Sequence, residues 1–403
     1  MAQGYIKSKA KMEMKVIAKN YLENLTICSF FQDFEKDKND GRIVSCKMHD
    51  IVHDFAESMP KDVCLTINCD DKVEKNFKRV RHLSLKVKET FLESVYEEKN
   101  LRFLNLSLLS SSKTIQPKLF NHLRCLRTLH LKGESILKLP NEVEKLIHLR
   151  YLKLYCNDLK ELPESICNLC NLQSLVVSEC RELEKLPQAM GKLINLRHLL
   201  LCIVDIKMKS FPKGIGGLTF LRTLNYFHVG VGGKGEEICK LRELEHLDHI
   251  QGKLGIVGLN NVVDLGEVKN ALKKKIHLRN LYLFFDGVGQ GKEEKTDEER
   301  RRRRMENDVA VLNTLRPPPR LEKLTIGFFY KGTTLSHNWM MSKLTSLKSL
   351  VLVWCINLEW LSPLGKLPLL EELVIMFTNN SIKWEREYQI CSKRMRIRRT
   401  KIK

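Results

Sequence analysis

The chain has 403 residues, of which 43% are hydrophobic, and a formal net charge of +21. That is enough for two domains or one long repeat array, and no apolar run of about 18 residues or more is present to cross a membrane as a helix. The N-terminus has no apolar h-region, so no secretory signal is expected. Thirteen cysteines, an odd number, argue against a complete disulfide framework and for a reducing, cytoplasmic or nuclear compartment.

Residues 1–66 carry no leucine repeat. Met12 to about Ile27 spaces Val16, Ile17, Leu22 and Leu25 as a helix does. The aromatic stretch C-S-F-F-Q-D-F follows, then a polar turn holding Asp40-Gly41, then R-I-V-S-C-K-M. That pattern predicts a hairpin. Next, H-D-I-V-H-D-F-A-E-S-M sets Ile51, Val52, Phe55 and Met59 on one helical face. Helix, hairpin and helix in about 60 residues are the ingredients of a winged helix. Residues 67–80 are polar and charged and read as a linker.

From residue 81 to 380 a leucine pattern dominates. L-R-T-L-H-L begins at Leu126, L-R-Y-L-K-L at Leu149, L-Q-S-L-V-V at Leu172 and L-R-H-L-L-L at Leu196, in steps of 23, 23 and 24 residues. This is the period of leucine-rich repeats, whose units stack into a curved solenoid because one unit cannot bury its own apolar face. Weaker units stand at His82 and Leu101, later ones at Leu278, Leu321, Leu347 and Leu370. Burying each inward leucine contributes about 1.5–3 kcal/mol. Asn157, Cys180 and Cys355 hold the ninth place, where a small polar or thiol side chain can face the backbone of the inner turn. Leu-Pro or Phe-Pro steps at Pro140, Pro163, Pro187 and Pro212 suit an irregular convex side. The expected fold class is therefore α/β, a leucine-rich-repeat horseshoe preceded by a small winged-helix subdomain.

Between Leu281 and Leu324 the spacing swells to 43 residues. The insertion is acidic, then basic through Arg300–Arg304. It reads either as an exposed charged helix or loop with Glu–Arg pairs, or as a nuclear-localisation or nucleic-acid patch. Residues 381–403 form a basic tail. With the net charge, it keeps open a nucleic-acid-binding reading of the winged helix.

Catalytic constellations are thin. His49 and His53 stand one helical turn apart, as in H-E-x-x-H zinc sites, but Asp50 replaces the glutamate and no third ligand is evident. A metal-dependent hydrolase is thus a weak alternative. Cys167-x-x-Cys170 has zinc-knuckle spacing without a second pair. The glycine-rich stretches at Gly230–Gly235 and Gly287–Lys292 lack the G-x-x-x-x-G-K-[ST] frame of a phosphate loop. The binding surface is expected on the concave face, where outward residues alternate with buried leucines: Thr128, His130, Tyr151, Lys153, Tyr155, Ser174, Val176, His198, Tyr282 and Phe284.

Several segments agree on a family. L-T-I-C-S-F-F-Q with V-S-C-K-M-H-D-I-V-H-D-F-A, then L-P-E-S-I-C-N-L-C-N-L-Q-S-L, G-K-L-G-I-V-G-L-N-N-V and L-R-P-P-P-R-L-E-K-L, resemble plant NB-ARC–leucine-rich-repeat disease-resistance proteins of the coiled-coil class. Met48-His49-Asp50 matches that family's Met-His-Asp motif, and residues 1–66 resemble the end of its nucleotide-binding region. The resemblance implies an N-terminally truncated, non-enzymatic immune-receptor fragment. Its repeats would serve effector recognition and autoinhibition, with a pathogen effector, a guarded host protein or the receptor's own nucleotide-binding region as partner. It also implies that His49 and Asp50 sense the phosphate of bound ADP. One charge-assisted hydrogen bond contributes about 1.5–3 kcal/mol, whereas micromolar affinity needs about 8.2 kcal/mol. The chain alone is therefore expected to hold no cofactor, with ADP or ATP confined to full-length relatives.

Overall fold

The structure is a computed structural model. It describes residues 14–36, 43–58, 63–68, 80–87, 99–109, 114–201, 211–230, 239–285, 298–327, 330–335, 344–355, 357–361 and 367–376, together with Ile6, Met208, Leu364 and the strands Lys383–Trp384 and Arg396–Thr400. The Asp40-Gly41 turn, both glycine-rich stretches apart from Gly230, and most of the linker and tail lie outside the described residues.

The N-terminal module has the expected order. In helix Met14–Ile27, Lys19 pairs with Glu23 one turn on. It stops where Ser29 turns left-handed, at φ 59°. Strands Phe31–Lys36 and Ile43–Met48 then pair antiparallel, Phe31 opposite Met48. Helix Asp50–Ser58 follows. Two residues of its apolar face are open: Ile51 is 73% exposed and Phe55 64%.

Among the described residues the solenoid is built on two large parallel sheets. The first has eight strands: Cys64–Asn68, His82–Val87, Phe103–Leu108, Thr128–Lys132, Tyr151–Tyr155, Ser174–Ser178, His198–Leu201 and Thr223–Leu224, each paired to the next. Its first strand falls in the stretch read from sequence as the end of the winged helix and its linker. The parallel sheet therefore starts at Cys64, not near residue 81. C-L-T-I-N alternates buried and open side chains well enough to pair with His82–Val87, although it lacks the Leu-x-x-Leu signature.

The second sheet has seven strands: Tyr226–His228, Gln251–Val257, His277–Phe284, Lys323–Gly327, Ser349–Val353, Glu372–Met376 and Arg396–Thr400. The last of these comes from the basic tail, so part of that tail continues the sheet rather than leaving it. Asn225 separates the two sheets. Its side-chain amide accepts from the Leu201 N–H at 2.9 Å and donates to the Leu201 carbonyl. Its own backbone carbonyl accepts from Gly255 N–H. One residue thus ties a strand of the first sheet to the second sheet.

The strands send their leucines into one continuous apolar core, joined from Ile67 to Ile375. Single 3₁₀ turns such as Asn141–Lys145 and Glu164–Asn168 close the convex side, each preceded by an extended proline. Side chains bind neighbouring turns together. Glu243 accepts from the Gly214 and Gly216 N–H groups, both at 2.8 Å, and Glu164 accepts from Gln188 and Ala189. The charged insertion ends in helix Glu298–Thr314, where Arg303 pairs with Glu299 and Arg302 with Glu306. Its C-terminal half buries Val311 and Leu312 in the core, so this segment replaces a convex turn.

Cysteines fill the inner turn as expected at two of the three ninth places. Glu179 and Trp354 adopt left-handed backbone, at φ 51° and 57°, and turn Cys180 and Cys355 inward. The Cys180 thiol lies 3.4 Å from the Ser178 carbonyl, and that of Cys355 3.6 Å from the Ile326 carbonyl. At the third place, Asn157 stays partly exposed and the preceding Cys156 is the buried residue. Burial pushes the Cys156 and Cys355 thiols up to about 12, so both stay protonated. Native-state alkylation should label exposed Cys28, Cys64, Cys125 and Cys170 at least about a hundredfold faster than Cys156 and Cys355, because the thiolate is the reacting form. Peptide mapping by mass spectrometry checks this; equal labelling of both groups would contradict the packing.

Candidate binding surface

Two places hold the residues singled out from sequence. The first is the start of helix Asp50–Ser58. The His49 N–H donates to the Phe30 carbonyl at 3.0 Å, and its own carbonyl accepts from His53 N–H at 2.9 Å. His49 therefore caps the helix, half-buried beside the hairpin. Asp50 is exposed and accepts a long contact of 3.4 Å from Gln32 Nε2. His53 is exposed and lies 3.9 Å from Asp54. Among the described residues no group of three His, Cys, Asp or Glu side chains could hold a metal ion. Cys167 is buried while Cys170 is exposed, so these two thiols do not form one ligand pair.

The second place is the concave face. In the first sheet the outward positions line up across strands. His130 pairs in register with Lys153, which pairs with Val176; Tyr151 pairs with Ser174, which pairs with His198. His198 Nδ1 lies 3.0 Å from the Thr223 hydroxyl. A ladder of rings crosses four strands. His82 lies 5.9 Å from Phe103, Phe103 5.3 Å from His130, and His130 5.3 Å from Tyr151, centroid to centroid. Lys132 Nζ sits 4.7 Å above the Tyr155 ring, a cation–π contact.

This packing sets the electrostatics. Burial, then the nearby Arg102 and Arg81 charges, lowers the His82 imidazole from its ordinary value. Burial, then Lys153, does the same to His130. Both shifts favour the neutral form of the ring. Burial also raises the Tyr151 and Tyr282 hydroxyls.

Two of the expected contact residues offer little surface. Thr128 is 5% exposed, because it lies in register between Phe103 and Tyr151. Phe284 is 6% exposed. Tyr226 stacks on it with centroids 6.5 Å apart and Tyr282 lies 6.2 Å away. Gly255 makes room for this cluster, since a Cβ there would run into the Tyr226 ring. Tyr282 and Phe284 also belong to the second sheet, so the residues expected to form one surface fall into two. His82, Phe103, Lys132 and Tyr226 also belong to these surfaces. The sequence signals for His82 and Phe103 are the weak repeat units at His82 and Leu101, and Lys132 continues the alternation of the unit at Leu126.

Comparison with known proteins agrees with both halves of the fold. Residues 1–56 match the family model described as the disease resistance protein winged helix domain, and residues 241–378 match the model of R13L1/DRL21 leucine-rich repeats. A disease resistance protein of Arabidopsis thaliana is 33% identical over 383 residues, covering 91% of this chain and 25% of its own length. The disease resistance protein RGA2 of Solanum bulbocastanum is 30% identical over 391 residues, covering 97% of this chain and 36% of its own. RGA4 from the same species is 29% identical over 98% of this chain and 35% of its own length. The chain thus spans about a third or less of these relatives. With the winged helix and the repeats both matched, and in this order, the chain belongs to the plant disease resistance proteins.

Proposed function

We propose that the chain is a non-enzymatic recognition and regulatory module of a plant immune receptor, working inside the cell, and that it binds protein partners through the concave face of its first sheet. The observation that carries this reading is the His82–Phe103–His130–Tyr151 ladder beside Tyr155 and Lys153. Aromatic and basic side chains dominate interface energetics, and here they stand on rigid strands with neighbours that fix their positions. The partner would be a pathogen effector, a guarded host protein or, for autoinhibition, a nucleotide-binding region of a longer receptor. In such a receptor His49 and Asp50 would face ADP. Their place at a helix N-terminus suits an anion, and the remaining contacts would come from the nucleotide-binding region.

The test uses interacting proteins selected from plant and pathogen libraries against the whole chain. The double variant Tyr151→Ala, Tyr155→Ala should lose at least about tenfold in affinity, equivalent to about 1.4 kcal/mol. The convex-side variant Lys185→Ala should bind normally. Equal affinity for both variants would overturn the assignment.

A further inference from the structure

A column of arginines runs along the starting edge of the first sheet. Arg81, Arg102, Arg127, Arg150, Arg197 and Arg222 each occupy the residue just before the first outward position of their strand. Backbone hydrogen bonds fix the stacking. The Arg81 carbonyl accepts from Arg102 and Phe103, that of Arg102 from Arg127 and Thr128, and that of Arg127 from Arg150 and Tyr151. The series continues through Gln173 to Arg197 and Arg222. Neighbouring members are one strand apart, about 4.8 Å, except Arg150 and Arg197, which stand two strands apart with Gln173 between them.

The second sheet holds the same column and serves as an internal comparison. There the positions read Arg279, Glu322, Lys348 and Glu371, linked by the same backbone bonds. That column neutralises itself: Arg279 pairs with Glu322 at 3.0 Å and Lys348 with Glu322 at 3.8 Å. The first column contains no carboxylate. Nor, among the described residues, does any outward position of its strands from Cys64 to Leu224. Lys132 and Lys153 add to the same field. Cations stacked at one-strand spacing repel one another, and among the described residues the outward strand positions beside Arg81, Arg102, Arg150 and Arg197 hold no Asp or Glu to interleave between them.

Building on the concave-face reading above, we propose that Arg81, Arg102, Arg150 and Arg197 of this column bind an acidic polypeptide segment, whose carboxylates take the place that Glu322 and Glu371 hold in the second sheet. Guanidinium groups suit carboxylates because they donate two parallel hydrogen bonds. The lowered His82 and His130 imidazoles fit the same picture, since beyond burial both respond to the positive charge around them. A protein partner is favoured over a single-stranded nucleic acid by the rings beside the column. Bases stack on open aromatic faces, but His82, Phe103, His130 and Tyr151 already pack against one another at 5.3–5.9 Å.

The experiment is fluorescence anisotropy of a labelled twelve-residue oligoglutamate peptide with the full chain at low ionic strength. Binding should weaken steeply as salt rises. Charge reversal by Arg102→Glu with Arg150→Glu should weaken it at least about tenfold, and the milder pair Arg102→Gln with Arg150→Gln should weaken it in the same direction. Lys145→Glu with Lys192→Glu changes net charge equally on the convex side and should leave binding within about twofold, the scale of a general field effect. Circular dichroism confirms folding of each variant, and the salt titration of the unaltered chain needs no variant. Absence of binding at low salt, or an equal loss in the convex control, would overturn the proposal. So would tighter, arginine-dependent binding of a twelve-nucleotide thymidine strand, which would reassign the column to nucleic acid. If a selected protein partner depends on Tyr151 and Tyr155 but neither it nor the peptide responds to the arginine variants, the acidic partner is wrong and the concave-face reading stands. If the partner responds to neither set, the concave-face reading fails as well.

Discussion

Leu175→Ala is expected to destabilise the solenoid by about 2–5 kcal/mol, while Val176→Ser on the same strand should cost under about 1 kcal/mol, the scale of an ordinary surface change. Successive strand residues face opposite ways. Leu175 is fully buried, in register between Leu152 and Leu199. Val176 stands on the concave side between Lys153 and Leu200 and is only partly covered. Truncating Leu175 removes apolar contacts and leaves a cavity that the rigid strands on either side cannot close. In a repeat array each unit is held by its neighbours, so the loss should spread to the strands carrying Leu152 and Leu199. Urea unfolding followed by circular dichroism measures the total, and hydrogen exchange locates it. A shift below about 1 kcal/mol for Leu175→Ala would mean that the inward leucines are not the main source of stability.

The repeat is legible because it depends on local rules. Leucines at the first, fourth and sixth places recur at a fixed step, and each makes the same choice between inside and outside. Other features depend on residues far apart in the chain. The strand Cys64–Asn68 has no leucine signature and becomes a strand only by pairing with His82–Val87. The junction at Asn225 sits in L-R-T-L-N-Y-F, and its role emerges only when the amide is seen bridging to Leu201 across 24 positions. The ring ladder and the arginine column likewise need the register between neighbouring strands, which are well separated in sequence. Thr128 illustrates the converse. Its outward position is readable from periodicity, but its burial depends on Phe103 and Tyr151 in the adjacent strands. The exposed Ile51 and Phe55 show the limit of amphipathic reasoning: a helix period identifies an apolar face without saying what covers it.

His228 should make the centre of the solenoid acid-labile. It lies at the end of Tyr226–His228, the first strand of the second sheet, and is 6% exposed. Its ring packs 5.6 Å from Phe211, and its Nε2 is buried without a hydrogen-bond partner among the described residues. Burial lowers its pKa to about 4. The unfolded chain, with an ordinary value near about 6.5, therefore binds a proton first as pH falls. The sign follows directly: stability is unaffected by this group above about pH 6.5, declines as pH drops below it, and stops declining once the folded form also protonates near pH 4. The loss should reach about 2 kcal/mol at pH 5 and about 3 kcal/mol in full. His228→Phe keeps an apolar ring and removes the titration. Carboxylates also titrate in acid, so the informative quantity is the difference between the two proteins. Between about pH 7.5 and about pH 5, the unfolding free energy of the variant relative to that of the wild-type chain should shift by about 2 kcal/mol in the variant's favour. Hydrogen exchange should place the acid-induced opening at Tyr226–His228 and its partner strand Gln251–Val257. A difference between the proteins that does not change with pH would show that His228 reaches a partner or water that keeps its imidazole near the ordinary value.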